Sequence, residues 1–188
     1  MLIWYYSPLI ELNIGNNCLK ELPQDFNVLK KLQTLYMEDN YFEEFPDVVC
    51  DLVTLNELRI SQNHIKIIPF EISLLVNLVT LAIDNNDLDD FPDGICELPN
   101  LKHLWLRQNK ISYIPENIEH LISLETLSLS SNMIRILPSQ VTSLTQLKHI
   151  YVNSNMIDVV PSDLPTMSNL ITVNIANNGK LILLYNYY

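Results

Sequence analysis

The sequence predicts a solenoid of stacked, repeated units with a parallel sheet of about eight short strands and little regular α-helix. Two observations support this prediction. Apolar residues recur at constant positions every 23 residues, and each unit contains an alternating Leu-x-Leu segment typical of a short strand with one buried face. The unit at residues 101–123 is representative. Its fixed positions are Leu101, Leu104, Leu106, Asn109, Ile111, Ile114, Pro115, Ile118 and Leu121.

Complete units follow one another without a gap from residue 9 to residue 169, which makes seven 23-residue repeats. We expect residues 1–8 to be the remnant of a preceding unit and residues 170–188 to be a partial, degenerate last one. On this interpretation residues 1–188 form a single domain. The complete units open at Leu9, Leu32, Leu55, Leu78, Leu101, Leu124 and Leu147.

Each unit reads as a strand, a turn and a short return segment. The leucines of the strand point inward, and the Asn that follows has an amide that can satisfy backbone groups exposed at the turn. Repeated in every unit, these side chains would form a ladder inside the coil. The return segment opens with Pro, which fixes φ and removes a donor, so a long helix is not expected there. The ladder positions are Asn17, Asn40, Asn63, Asn86, Asn109, Asn132, Asn155 and Asn178.

Composition excludes several classes of protein. Apolar residues make up 48% of the 188 residues, which rules out a disordered chain. The formal net charge of −11 has the wrong sign for binding a nucleic-acid backbone or an anionic membrane surface. No apolar run reaches the roughly 18 residues that a membrane span needs, and the N-terminus does not read as a secretory signal. We therefore expect a soluble protein without membrane insertion.

The cysteines and the asparagines favour the cytoplasm. Cys18, Cys50 and Cys96 are odd in number, and the stacking distance places Cys50 and Cys96 about 10 Å apart, too far for a disulfide. Free thiols are expected. No Asn-x-Ser/Thr acceptor occurs, so nothing in the chain indicates a glycosylated extracellular protein.

The recurring pattern Leu-x-x-Leu-x-Leu-x-x-Asn-x-Leu-x-x-Leu-Pro-x-x-Ile-x-x-Leu-x-x resembles the leucine-rich repeat family, in its 23-residue intracellular, Ras-related class to which Scribble and the Ras suppressor belong. The resemblance spans residues 9–178. It implies an α/β fold, a right-handed, curved leucine-rich repeat solenoid. Its parallel β-sheet would lie on the concave face, with short helical or extended segments on the convex face. It also implies protein–protein recognition.

Function in such an array must depend on residues that the fold does not need, namely those that point outward from the strands. These positions are acidic over the second to fourth units, cationic and aromatic at the fifth, and neutral afterwards. Trp, Tyr and Arg are enriched in binding hot spots. The predicted partner-binding residues of the concave face are Tyr36, Glu38, Arg59, Asp84, His103, Trp105, Arg107 and Tyr151.

We expect the interface to centre on Trp105 and Arg107. The neighbours of Trp105 on adjacent strands are Ala82 and Ser128, whose small side chains should leave the indole accessible. Glu38 and Asp84 would select a partner of complementary charge, one with a basic patch.

Catalysis is not expected. An open, shallow sheet offers no water-excluding pocket or oxyanion site for His103, Ser128 or His149. His103 and His149 lie two units apart, about 10 Å, too far to share one metal ion. We expect no cofactor, no metal and no small-molecule substrate.

Two functions compete. The first is an intracellular scaffold or adaptor in signal transduction that binds a protein partner on its concave face. The second is an extracellular or surface ligand-binding array, similar to receptor ectodomains, without its caps. The unpaired cysteines and missing glycosylation sites favour the first.

The ends of the chain also have two interpretations. Aromatic residues near both termini would act as lids on the open array, or the chain is a piece of a longer array. Both ends break inside a unit, which favours the second interpretation. The aromatic residues are Trp4, Tyr5, Tyr6, Tyr185, Tyr187 and Tyr188.

Overall fold

A computed structural model describes residues 8–180 and the backbone of residues 182–183. Its main feature is a parallel sheet of eight strands, each three residues long, in the order in which they occur along the chain. The strands are β1 (Glu11–Asn13), β2 (Thr34–Tyr36), β3 (Glu57–Arg59), β4 (Thr80–Ala82), β5 (His103–Trp105), β6 (Thr126–Ser128), β7 (His149–Tyr151) and β9 (Thr172–Asn174), while β8 (Val159–Val160) belongs to a second, smaller sheet.

The strand register follows the repeat. Leu81 of β4 pairs with Leu104 of β5, and Leu104 pairs with Leu127 of β6, so each partner lies 23 residues further along the chain. The central side chains of β2 to β7 are fully buried, while their neighbours on the strands face outward. The predicted solenoid and its strand positions are therefore confirmed. The strands form the concave face of a curved solenoid to which each unit adds one strand.

Short 3₁₀ helices cover the opposite, convex side, and the described residues contain no α-helix. Most begin directly after a proline in extended conformation, such as Pro115 with φ of −71°. Proline allows one tight turn here but gives no support to a longer helix. The helices are Gln24–Val28, Asp47–Asp51, Phe70–Leu74, Asp93–Glu97, Glu116–His120, Ser139–Ser143 and Leu164–Thr166.

A continuous apolar core lies between the sheet and the 3₁₀ helices. Leucine and isoleucine columns run through it, and most of their side chains are completely buried. Phe42 and Phe91 are the largest of the fully buried side chains. Burying a side chain of this size contributes about 2 to 3 kcal/mol, and the contribution depends on the neighbouring unit that covers it.

The asparagine ladder is confirmed. Asn109 accepts a hydrogen bond at Oδ1 from the N–H of Leu88 in the preceding unit, at 3.0 Å. Its Nδ2 lies 3.0 Å from the carbonyl oxygen of Ile83, also in the preceding unit, and 3.1 Å from that of Leu106 in its own unit. Only 8% of Asn109 is exposed. The amide therefore joins two units and satisfies buried backbone groups of both.

The residue before each ladder asparagine adopts left-handed backbone conformation, which the sequence pattern did not predict. Gln62, Gln108 and Ser131 have φ of 57°, 54° and 57°. Asparagine and aspartate tolerate this region better than other non-glycine residues, and they occupy four of the eight positions. The complete set is Asn16, Asp39, Gln62, Asn85, Gln108, Ser131, Ser154 and Asn177.

A second, two-stranded parallel sheet was not predicted either. It pairs β8 (Val159–Val160) with β10 (Ile182–Leu183), again one 23-residue step apart, and Ile136 makes an isolated bridge to Val159. The return segments of the last units thus pair with one another, and the β-branched Val159 and Val160 favour extended backbone. The aromatic residues proposed as lids lie outside the described residues.

Cys18, Cys50 and Cys96 are free thiols, as predicted. Burial raises the pKa of Cys50 and of Cys96 to about 12 in both cases, so neither is reactive in the folded protein. Cys18 is exposed. None of the helices in the described part of the chain is long and apolar enough to span a bilayer.

Candidate functional site on the concave face

The strands carry the predicted site residues onto one surface. Tyr36, Arg59, Trp105 and Tyr151 are the last residues of their strands, and His103 is the first residue of β5. Alternation along a strand sends these side chains away from the buried leucines between them. Glu38, Asp84 and Arg107 lie two residues beyond the strand ends, on the same outward side of the chain.

Six of the eight predicted residues line one shallow depression of about 840 Å³. Tyr36 and His103 do not line it, but each contacts a residue that does: the guanidinium of Arg59 lies 5.5 Å from the centre of the Tyr36 ring, and His103 stacks on Trp105. The residues that line the depression are Glu38, Arg59, Asp84, Trp105, Arg107 and Tyr151.

The indole of Trp105 is less accessible than its small neighbours led us to expect. It is partly buried, and its ring centre lies 5.6 Å from that of His103 at an interplanar angle of 14°. Ala82 and Ser128, its partners on the adjacent strands, are only 6% and 7% exposed. The larger side chains on either side therefore cover these two small residues. Trp105 is held in a defined position with part of its surface in contact with solvent.

Asp84 contacts Arg107 at two points, through one ion pair and one backbone hydrogen bond. Oδ2 of Asp84 lies 2.9 Å from Nε of Arg107, and Oδ1 accepts a hydrogen bond from the backbone N–H of Arg107 at 2.8 Å. The Oγ of Ser61 in turn accepts a hydrogen bond from the N–H of Asp84. Burial nevertheless raises the pKa of Asp84, since it outweighs the opposing effect of Arg107. Arg107 remains largely exposed, so its remaining donors are available to a partner.

A second cation, the guanidinium of Arg59 on β3, also lines the depression. Nε of Arg59 is 2.6 Å from a carboxylate oxygen of Glu57, and the same guanidinium lies over the Tyr36 ring. Glu38, half-buried nearby, forms no ion pair within the described residues, and burial raises the pKa of its carboxyl group. Its carboxylate is therefore a group whose charge a basic partner would stabilise.

Sequence reasoning missed part of the lining. Four further residues of the depression are the left-handed residues that precede the ladder asparagines. The repeat pattern assigned no role to these positions, whereas the fixed left-handed backbone brings their side chains to the concave surface. A column of polar residues directly before each asparagine was the available signal. The four are Gln62, Asn85, Gln108 and Ser131.

The depression is an open surface and not an enclosed pocket. Its aromatic rings, guanidinium groups, carboxylates and hydroxyls lie on an open surface, which is the composition of a protein-binding interface with hot-spot residue types. His103 and His149 stand on β5 and β7, separated by β6, and Nδ1 of His149 lies 3.1 Å from Oγ1 of Thr172. Residues 8–180 bring together no group of three or more His, Cys, Asp or Glu side chains that could hold a metal ion.

Comparison with known proteins identifies similar sequences and structures. A family model described as a leucine-rich repeat region matches residues 92–180. Among solved structures, a leucine-rich repeat protein of Leptospira interrogans is 30% identical with a TM-score of 0.89; the alignment covers 92% of this chain and 44% of that one. A search of the curated proteins found no match.

Two receptors are also similar. The TDR receptor is 31% identical over 89% of this chain and 30% of its own, with a TM-score of 0.82. The plant peptide hormone receptor RGFR1, solved in complex with RGF2, is 26% identical over 89% of this chain and 28% of its own, with a TM-score of 0.79. This chain thus spans less than half the length of each of the three proteins.

Proposed function

Because the chain is a leucine-rich repeat protein, we propose that it binds a protein partner on its concave face and acts as a non-catalytic scaffold. The observation that supports this most directly is the depression around Trp105 and Arg107, where aromatic and cationic side chains converge on an otherwise polar surface. The fold does not need these residues for its core, since the leucines on either side of them fill it.

The interface of this proposal has two parts. Trp105 and Tyr151 supply apolar area, while Arg59 and Arg107 supply directional donors. Glu38 and Asp84 add negative charge and would favour a partner with a basic patch, chiefly by speeding association and excluding acidic partners. Tyr36 and His103 would extend the contact through the rings and cations that they touch.

We expect Trp105→Ala to weaken the complex by about 2 kcal/mol, close to a thirtyfold increase in Kd, because a hot-spot aromatic residue loses its contact area. The partner is first identified by pull-down, and Kd is then measured by calorimetry with purified proteins. Tyr41→Ala is the matched control, since Tyr41 is an exposed aromatic residue outside the depression. Undiminished binding by a folded Trp105→Ala variant would overturn the proposed site.

We further propose that the protein works in the cytoplasm, in signal transduction. The free thiols and the absence of glycosylation acceptors from the sequence support this location. The receptor-like alternative is favoured by the similarity to RGFR1, whose structure contains RGF2. The sequence of the whole gene distinguishes these two functions. A secretion signal with cysteine-rich caps would support the receptor, and further 23-residue units without a signal or caps would support the scaffold.

A further inference from the structure

A groove of about 430 Å³ lies on the convex side, and we call it the outer groove. Exposed apolar side chains that are not part of the core form its walls. Ile67 and Phe70 form one wall and Tyr113, two units further on, contributes the other. These three side chains are 75%, 62% and 44% exposed. Large apolar side chains exposed side by side in a groove mark an interaction surface more often than a simple solvent face.

Carboxylates occupy the unit between the two walls. Asp90 holds the position in its unit that Ile67 and Tyr113 hold in theirs, and Asp93 holds the position of Phe70. Asp89 also lines the groove, and none of the three forms an ion pair within residues 8–180. Three carboxylates against the one ammonium group in the lining, that of Lys66, leave a net charge of −2.

The carboxylates lie close to the apolar wall. Asp90, Asp93 and Tyr113 line the same groove, and burial, followed by the charges of Asp90 and Asp93, raises the pKa of the Tyr113 hydroxyl. Gly94 also lines the groove, and its backbone packs closely against Phe70 and Ile72 of the preceding unit. Apolar walls therefore flank an acidic centre.

We propose that the outer groove binds a lysine- or arginine-containing segment of a partner protein. A cationic group would lie over Asp90 and Asp93, where Tyr113 and Phe70 offer aromatic faces, and flanking apolar side chains would cover Ile67. A second copy of this chain fits poorly, because each copy carries a net charge of −11 and brings further carboxylates to the groove. The site is separate from the concave face.

The test uses three fluorescein-labelled synthetic peptides, measured by fluorescence anisotropy at physiological salt. In the first, lysine alternates with phenylalanine; in the second, glutamate replaces lysine; in the third, serine replaces phenylalanine. We expect the first to bind at least about tenfold more tightly than either of the others, because only it meets both the carboxylates and the apolar walls. Equal binding of the first and third peptides would overturn the proposal, since charge alone would then explain it.

Variants locate the site. Asp90→Lys with Asp93→Lys should weaken binding of the first peptide at least about tenfold, whereas Asp25→Lys with Asp158→Lys, the same charge change at exposed positions outside the groove, should have a much smaller effect. Equal losses in the two double variants would overturn the proposal.

The apolar walls are tested in the same way. Ile67→Ser with Tyr113→Ser should weaken binding, and Ile122→Ser, at an exposed position elsewhere, should not. Trp105→Ala should leave peptide binding intact. If this variant lost affinity for the peptide, the peptide would bind the concave face, and the proposal for the outer groove would be overturned while the concave interface would stand. Sedimentation that shows a dimer lost in the Ile67→Ser, Tyr113→Ser variant would assign the groove to a second copy instead. Circular dichroism confirms that each variant is folded.

Discussion

From Asn40 onward, each ladder asparagine fixes the distance between two neighbouring units. In Asn86, Oδ1 accepts the N–H of Ile65 at 3.0 Å, and Nδ2 lies 3.1 Å from the carbonyl oxygen of Ile60, so both bonds reach the preceding unit. A leucine, which has the same branched shape, would occupy the site but leave these backbone groups buried without a partner, at a cost of about 1 to 3 kcal/mol. The amide therefore has a structural role.

Asn109→Leu should lower the free energy of unfolding by about 1 to 3 kcal/mol, because it removes the partner of the Leu88 N–H and of buried carbonyl groups. Urea denaturation measures the change. Asn17→Leu is the matched control: Asn17 is exposed, and within residues 8–180 its side chain bonds only to the carbonyl groups of Ile14 and Gly15 in its own turn. Equal losses in the two variants would contradict the role of the ladder between units.

The ladder was predictable from the sequence because a polar residue recurred at a position that must be buried. The left-handed residue before it was not, because its side chain varies between Asn, Asp, Gln and Ser while the backbone angle stays constant. Gln108 and Ser131 are examples, because neither residue type favours the left-handed region. The hydrogen bonds of the ladder impose this backbone conformation and outweigh the local preference for glycine or asparagine. A constraint on the backbone angle alone does not select one residue type, so the repeat pattern did not reveal it.

At the level of elements, the 3₁₀ helices pack more closely in one place than elsewhere. In the helix Asp93–Glu97, a Cβ added to Gly94 would lie 2.6 Å from the carbonyl oxygen of Phe70 and 2.9 Å from Cγ2 of Ile72, both in the preceding helix. Because one of these atoms belongs to the backbone, a larger side chain could be accommodated only by moving the helices apart. Glycine is required at this position by the close approach of the two elements.

Gly94→Ala should therefore lower the free energy of unfolding by about 1 to 3 kcal/mol, the usual cost of forcing extra volume into a packed contact. Gly179→Ala is the control, since the nearest atoms to its added Cβ lie 3.7 Å away; we expect no loss there, because alanine also restricts the unfolded chain. Chemical denaturation monitored by circular dichroism compares the two variants. A Gly94→Ala protein as stable as the parent would show that the helices separate at little cost.

The strands were predictable and the contacts between their side chains were not. The 23-residue period placed Trp105 beside Ala82 and Ser128, and the structure has this register. The period did not indicate that Trp105 stacks on His103 of its own strand, or that Arg59 lies over Tyr36. Rotamers decide such contacts, and a repeat pattern carries no information about the rotamer of a variable residue. The list of concave residues could therefore be predicted, but the accessibility of the indole could not.

For the whole molecule, the repeat makes each unit depend on its neighbours only. The buried leucines of one unit are covered by equivalent leucines 23 residues away, and the ladder bonds reach back one unit. Stability in such an array is approximately a sum of unit and interface terms. It follows that a unit in the middle should be removable, provided that the two new neighbours present the same columns to each other.

Excision of residues 101–123 should give a folded protein that lacks one strand of the main sheet. Leu81 would then meet Leu127, and Asn132 would reach the carbonyl oxygen of Ile83 in place of that of Leu106. We expect a far-UV circular dichroism spectrum of unchanged shape and a urea m-value smaller by about one-eighth, in proportion to the surface buried. Excision of residues 101–120 is the control, because it leaves three extra residues at the junction and puts the units before it out of phase with those after it, so the two parts should no longer unfold in one cooperative transition. If the 101–123 excision also failed to unfold cooperatively, the units would not be interchangeable, and the fold would depend on contacts that extend beyond adjacent repeats.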